Sequence, residues 1–328
     1  MIRRNLIGAA LALPLLAASP VWAQDAWPSK PVKIVCPFPA GGTSDIMARM
    51  VAAALGKEMG QQFIVENIGG AGGTIGTLRA AQMAPDGYTI VQTGVGQSAV
   101  AHGLDPKLGY DSMRDFIHIS QVHSGPNVLV VHPDQPFRNF QELLGYIRKN
   151  PGKLNYGYTH AASGHMAMEL LKQVGGENGQ PLFIVGIPYR GGGPMMQDLL
   201  GGQIPMMFIN QDVALPHVKA GKLRALAVTS TERNALYPDT PTIAETGVKG
   251  YEALSWSGIS AIKGTPKPIV DKLEAAMKKI MTSPEIRQRM DSVGFVIPPQ
   301  GSDHYTKFVK SEIDLWTRVI RTAGIKAE

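Results

Sequence analysis

A chain of 328 residues, 44% hydrophobic and 18% charged, is long enough for two packed lobes and too apolar to be disordered. Its formal net charge of +6 is scattered rather than gathered into runs, which gives no basis for nucleic-acid binding. A single cysteine, Cys36, excludes an intramolecular disulfide and, closing an apolar run, reads as a buried thiol.

At the N-terminus, Arg3 and Arg4 precede an apolar stretch over 6–18, and Val21 and Ala23 fit the positions before a signal-peptidase site. Residues 1–23 are therefore expected to be a signal peptide cleaved after Ala23, because the apolar stretch is short for a membrane span. Strands and helices then alternate. Strands are expected over 32–36, 62–65 and 88–93, with helices over 44–59 and 74–83. The same grammar repeats with strands over 128–132, 154–158, 184–188, 205–209 and 225–229, and helices over 140–149, 164–174 and 193–200. A strand over 256–262 and helices over 268–281, 284–293 and 303–323 complete the chain. The fold class is α/β. Segments 117–128 and 251–256 read as crossings between lobes, which places 24–124 and 252–328 in a discontinuous first lobe and 125–251 in a second.

Two glycine-rich loops stand where a strand hands over to a helix: Phe38-Pro39-Ala40-Gly41-Gly42-Thr43-Ser44-Asp45 and Asn67-Ile68-Gly69-Gly70-Ala71-Gly72-Gly73-Thr74. Glycine lets backbone N–H groups approach a ligand, and a helix N-terminus adds positive partial charge, so the pair reads as an anion site without a charged side chain. In this reading Asp45 orients its loop. The second lobe offers Tyr158-Thr159-His160-Ala161-Ala162-Ser163-Gly164 and Pro188-Tyr189-Arg190-Gly191-Gly192 in equivalent places, beyond the carboxyl ends of strands. Four such loops around one cleft suit closure on a small ligand. No metal is expected, since His160 and His165 are five apart and do not share a helical face. No GxxxxGK[ST], HExxH or GxSxG motif occurs, so no cofactor is expected. An exported hydrolase acting on a small carboxylated substrate is the alternative, because catalytic triads are not local in sequence.

Trp27-Pro28-Ser29-Lys30-Pro31, Asp86-Gly87-Tyr88-Thr89, Pro188-Tyr189-Arg190-Gly191, Asp198-Leu199-Leu200-Gly201-Gly202-Gln203, Gly221-Lys222-Leu223-Arg224-Ala225-Leu226-Ala227 and Pro238-Asp239-Thr240-Pro241-Thr242 add to the glycine loops. In this order they resemble the periplasmic solute-binding proteins of tripartite tricarboxylate transporters, the Bug family. The resemblance implies a type II periplasmic binding protein fold, a monomer that captures a small organic acid and delivers it to integral-membrane transporter subunits. It places Gly41, Gly42, Thr43, Ala71, Gly72 and Gly73 around a ligand carboxylate, with the second lobe selecting the rest of the molecule. There this chain departs from the family pattern. Tyr158 fills a position that commonly carries a small hydroxyl residue, and Ile209 replaces a frequent acid, followed by Asn210. An added ring and a lost carboxylate favour an apolar or aromatic acid over an amino acid, whereas Arg190 in the cleft would favour a dicarboxylate. Thr159, His160, Ser163 and Asn210 complete the expected ligand contacts.

Overall fold

The computed structural model describes residues 27–325; the expected signal segment and its cleavage site lie outside them. The chain opens with β1 (Val32–Cys36), α1 (Thr43–Met59), β2 (Phe63–Asn67), α2 (Thr74–Ala81) and β3 (Thr89–Gly94). A π-helical turn over Gly96–Val100 and the short α3 (Ala101–Leu104) lead into β4 (Phe116–Val131). Next come α4 (Phe140–Lys149), β5 (Asn155–Thr159), α5 (Ser163–Val174), β6 (Val185–Tyr189), α6 (Gly192–Leu200), β7 (Met206–Asn210), α7 (Gln211–Lys219) and β8 (Arg224–Val228). The chain returns through β9 (Leu254–Ile262) and finishes with α8 (Lys267–Met281), α9 (Pro284–Val293) and α10 (Ser302–Ala323).

Local sequence explains these elements. β1 is buried almost throughout because helices cover both faces of its parallel neighbours, so it needs no polar face. In α4 the residues Phe140, Leu143, Leu144 and Ile147 fall on one face and are buried, while Asn139 caps the helix by accepting from the Glu142 amide. The Cys36 thiol is inaccessible, and burial pushes its pKa up to about 12, which keeps it inert.

Three departures from the expected elements concern the hinge and the site. Residues 117–128, expected as a crossing, and 128–132, expected as a separate strand, form one strand of 16 residues. Pro126 sits where the strand changes partners, a place that tolerates a missing N–H. Helix α7 was masked in the pattern by Pro216 in its interior, and the turn after β3 by its glycine and lack of periodicity.

Strand β4 belongs to both lobes. Its Phe116–Pro126 stretch pairs with β9 in the sheet β2-β1-β3-β9-β4, and its Asn127–Val131 stretch pairs with β7 and β8 in the second sheet, beside β5 and β6. The crossing is cross-braced. Asn127 receives the Ser163 hydroxyl at 3.0 Å and donates to the Ala253 carbonyl, which also accepts from Thr229 at 2.6 Å. Behind it, one hydrophobic cluster runs from Val95, Ala99 and Leu104 through Leu129 and Phe208 to Tyr305, Val309 and Trp316 of α10. Helix α10 is thus the spine at the back of the hinge.

Candidate ligand-binding site

The lobes meet around a cavity of about 100 Å³. At the roughly 30 Å³ that a water occupies in the liquid, it holds about three waters, so only a small ligand fits. Phe38, Pro39, Val95, Met195, Phe208, Ile209 and Trp256 supply its apolar wall. Thr43, Ser44, Thr159, Ser163 and Asn210 supply hydroxyl and amide groups. Among the described residues, no Asp, Glu, Lys or Arg side chain lines it.

Its charge comes from backbone. Four helices begin at the cavity: α1 at Gly42-Thr43, α5 at Ala162-Ser163, α6 at Gly191-Gly192 and α7 at Asn210. In none does the N-cap side chain cap the first turn, and only in α7 does another side chain, Asp212, accept from first-turn amides. Helices ordinarily satisfy these N–H groups with a Ser, Asp or Asn cap, each contributing about 1 kcal/mol. Left open and convergent, the N-termini of α1, α5 and α6 each carry about half a positive charge toward the same space. The arrangement suits an anion and disfavours a cation.

The first glycine loop is held by Asp45, which accepts from the Gly41 amide at 3.1 Å, from Asn67 at 3.0 Å and from Arg49 at 2.9 Å. Burial would raise the Asp45 pKa, but the bonds from Arg49, Gly41 and Asn67 outweigh it and hold the carboxyl below the usual range. Asn67 also donates to the Phe38 carbonyl at 2.9 Å, tying the two loops together.

Of the residues expected from sequence, Gly42, Thr43, Thr159, Ser163 and Asn210 line the cavity. The Thr159 hydroxyl and the Asn210 amide nitrogen are buried without a hydrogen-bond partner among the described residues. Gly41 does not line the cavity, and its amide is engaged by Asp45. Ala71, Gly72, His160 and Arg190 line a neighbouring groove that shares only Pro39 and Thr159 with the cavity. Gly73 lines neither, and its amide bonds to the Gly70 carbonyl at 2.9 Å. The physical reason is the bulk of the first loop: a Cβ on Gly73 would meet the Phe38 ring at 3.2 Å, and one on Gly69 would meet Pro39 at 3.0 Å. The second loop therefore packs behind the first. Tyr158 is placed in the second lobe's core, its ring stacked on His165 at 4.4 Å and tilted against Tyr156, so it adds no aromatic wall. No group of three or more metal-ligating side chains occurs among the described residues.

Sequence reasoning missed Gln97, His123, Ser255 and Ser257, which line the hinge end of the cavity. For His123, Ser255 and Ser257 the signal available was polar side chains inside strands that are otherwise buried. His123 is paired with Ser257 at 2.9 Å, and burial pushes its pKa down to about 3, so the ring is neutral. Trp256 lines the cavity and passes its indole N–H to Glu312 of α10 at 2.6 Å.

Two α/β lobes joined by a shared strand and closed over a neutral, N–H-rich cavity define a periplasmic solute-binding protein of the flytrap type. Residues 47–325 match the profile of the tripartite tricarboxylate transporter family receptors, and the chain belongs to that family, the Bug proteins. It is similar to the periplasmic binding protein BugD, at 35% identity and TM-score 0.86 over 92% of this chain and all of that one. It is also similar to Rpa4515 of R. palustris, solved with adipate, at 33% identity and TM-score 0.85 over 92% of this chain and 99% of that one. A third likeness is MatC of Rhodopseudomonas palustris, solved with malate, at 31% identity and TM-score 0.84 over 90% of this chain and all of that one. The family is one of binding proteins, not of enzymes, which removes the hydrolase reading.

Proposed function

We propose that this protein captures a small organic carboxylate in the cavity between its lobes and hands it to the integral-membrane subunits of a tripartite tricarboxylate-type transporter. The observation that carries the reading is the convergence of three uncapped helix N-termini, those of α1, α5 and α6, on a cavity that no Asp, Glu, Lys or Arg among the described residues lines. Neutral donors hold an anion while leaving no ion pair to break on release. The ligand carboxylate is assigned to the Gly42-Thr43-Ser44 turn of α1, and the rest of the molecule to Thr159, Ser163 and Asn210. Similar proteins hold adipate and malate, which agrees with this chemistry. The chain is expected to reach the periplasm with residues 1–23 removed after Ala23 and to act as a monomer.

The test is a thermal-shift screen of residues 24–328 against mono- and dicarboxylates, amino acids, sugars and nucleotides. A ligand at 100 times its Kd stabilises the fold by about 2.7 kcal/mol, enough for a shift of several degrees. Response to carboxylates alone supports the reading; response to sugars or nucleotides, or none to any acid, overturns it.

A further inference from the structure

The hinge end of the cavity is a row of polar groups laid across three strands. Gly94 of β3 pairs with Ser257 of β9, which pairs in turn with His123 of β4. Gln97, from the π-helical turn after β3, lays its amide over Gly94: a Cβ there would come within 3.4 Å of the amide nitrogen. The glycine makes room for the glutamine. Gln97, His123 and Ser257 all line the cavity and are 1%, 1% and 3% exposed.

Two atoms of this row lie just out of reach of water and lack a hydrogen-bond partner among the described residues. Gln97 donates its Nε2 to the Gln92 carbonyl at 3.3 Å, which fixes Oε1 as the remaining atom, and Oε1 has no partner among the described residues. His123 uses Nδ1 on Ser257, and its Nε2 likewise has no partner among the described residues. A buried polar atom without a partner costs about 1–3 kcal/mol, so a site that keeps two is built for something that satisfies them.

The chemistry of the open atoms is selective. Gln97 Oε1 only accepts, so a carboxylate placed against it would meet oxygen lone pairs with lone pairs. Nor does any cation on the cavity wall offset a second negative charge. A hydroxyl inserted between the two side chains would suit them, because it can donate to Oε1 and can either donate to or accept from a neutral imidazole, whichever tautomer His123 holds. We infer that Gln97 and His123 form a distal subsite for a ligand hydroxyl, which makes the preferred ligand a hydroxy-substituted monocarboxylate. This deepens the carboxylate reading of the cavity and rests on it. Gln97 and His123 are then specificity-determining residues, Ser257 acts through His123 as a positioning residue, and the amino end of α1 keeps the carboxylate.

The test is isothermal titration of the mature protein with butyrate, its 2-, 3- and 4-hydroxy derivatives, succinate and malate. The expected result is at least about tenfold tighter binding of one hydroxybutyrate than of butyrate, since a site built to hydrogen-bond a hydroxyl penalises the analogue lacking it. Gln97→Leu and His123→Phe, each checked for folding by its melting temperature, are expected to cut that preference below about threefold. The ratio of hydroxy to unsubstituted acid is the readout, because a purely structural role lowers both affinities together. If one variant fails to fold, the other carries the comparison. Equal affinity for butyrate and every hydroxybutyrate, or tighter binding of succinate, overturns the subsite while the carboxylate receptor stands. Binding of no acid at all overturns both.

Discussion

The Thr43 hydroxyl of the first lobe donates a 2.6 Å hydrogen bond to Oδ1 of Asp212 in the second. Asp212 keeps some exposure as a residue, yet its Oδ2 is out of reach of water and has no partner among the described residues. Burial raises its pKa to about 6, against the pull of Thr43, the α7 amides and Arg289, the charged neighbour. Opening the lobes hydrates the carboxyl and returns it toward its usual pKa of about 4. Between those two values the closed form binds the proton better, so closure strengthens as pH falls through 6 and is weaker above it. Ligand affinity at about pH 5 is expected to exceed that at pH 7.5 by about threefold to tenfold, and Asp212→Asn to flatten the dependence. Titration calorimetry at the two pH values decides; a flat wild-type profile removes the latch.

Gly72 has a φ of +63°, and a Cβ on it would lie 2.5 Å from the His160 carbonyl of the other lobe. Neither term tolerates a side chain in the closed form. Gly72→Ala should raise the ligand Kd by about 10- to 100-fold, as expected for 1–3 kcal/mol of strain carried by the closed form. Small-angle scattering with saturating ligand should show the wild type compact and the variant wider. A variant that closes and binds like wild type disproves the contact.

Asp45 should matter to fold and affinity together. Asp45→Ala leaves the Gly41 amide, Asn67 and Arg49 without their shared acceptor, an expected loss of about 2–3 kcal/mol and several degrees in melting temperature. Because its native pKa is lowered, its contribution is present above the ordinary carboxylate range and is lost as pH falls through the lowered value. Melting curves between about pH 2 and pH 6 should therefore converge for wild type and variant at the acid end. Curves that stay parallel down to the lowest pH would rule the ionised form out as the cause.

Arg190 lines the groove beside the cavity rather than the cavity itself. Arg190→Ala is expected to change the affinity for a monocarboxylate by less than about twofold, the scale of a solvated charge beyond hydrogen-bond reach. A tenfold loss in calorimetry would put the guanidinium back in the cleft and restore the dicarboxylate expectation.

The lobes and most of the strands were legible because hydrophobic runs and glycine punctuation are local signals. That Gly42, Thr43, Ser163 and Asn210 would lie on the cavity wall was legible for the same reason, each lying just beyond the end of a strand. The second glycine loop misled because glycine marks close packing as readily as ligand approach: at Gly76 a Cβ would collide with the Ile68 carbonyl, and at Gly73 it would meet Phe38. Tyr158 misled because a ring next to a loop is drawn into the core wherever a partner such as His165 can stack on it. Gln97 and His123 were invisible because their meeting depends on the register of β3, β9 and β4, which no short window of sequence contains.

A carrier repeats its movement for every molecule it delivers, and each repetition is a chance for a protease to find loose chain. A tether of flexible residues would offer such chain at every stroke. Here the crossing is one strand paired in both sheets, with register irregularities between His118 and Ser120 and between Gln121 and His123, and a change of partners after Pro126. Bending gathered at those few points leaves the rest of the backbone paired. Endurance in a protease-rich compartment is thereby written into the same residues that set the swing.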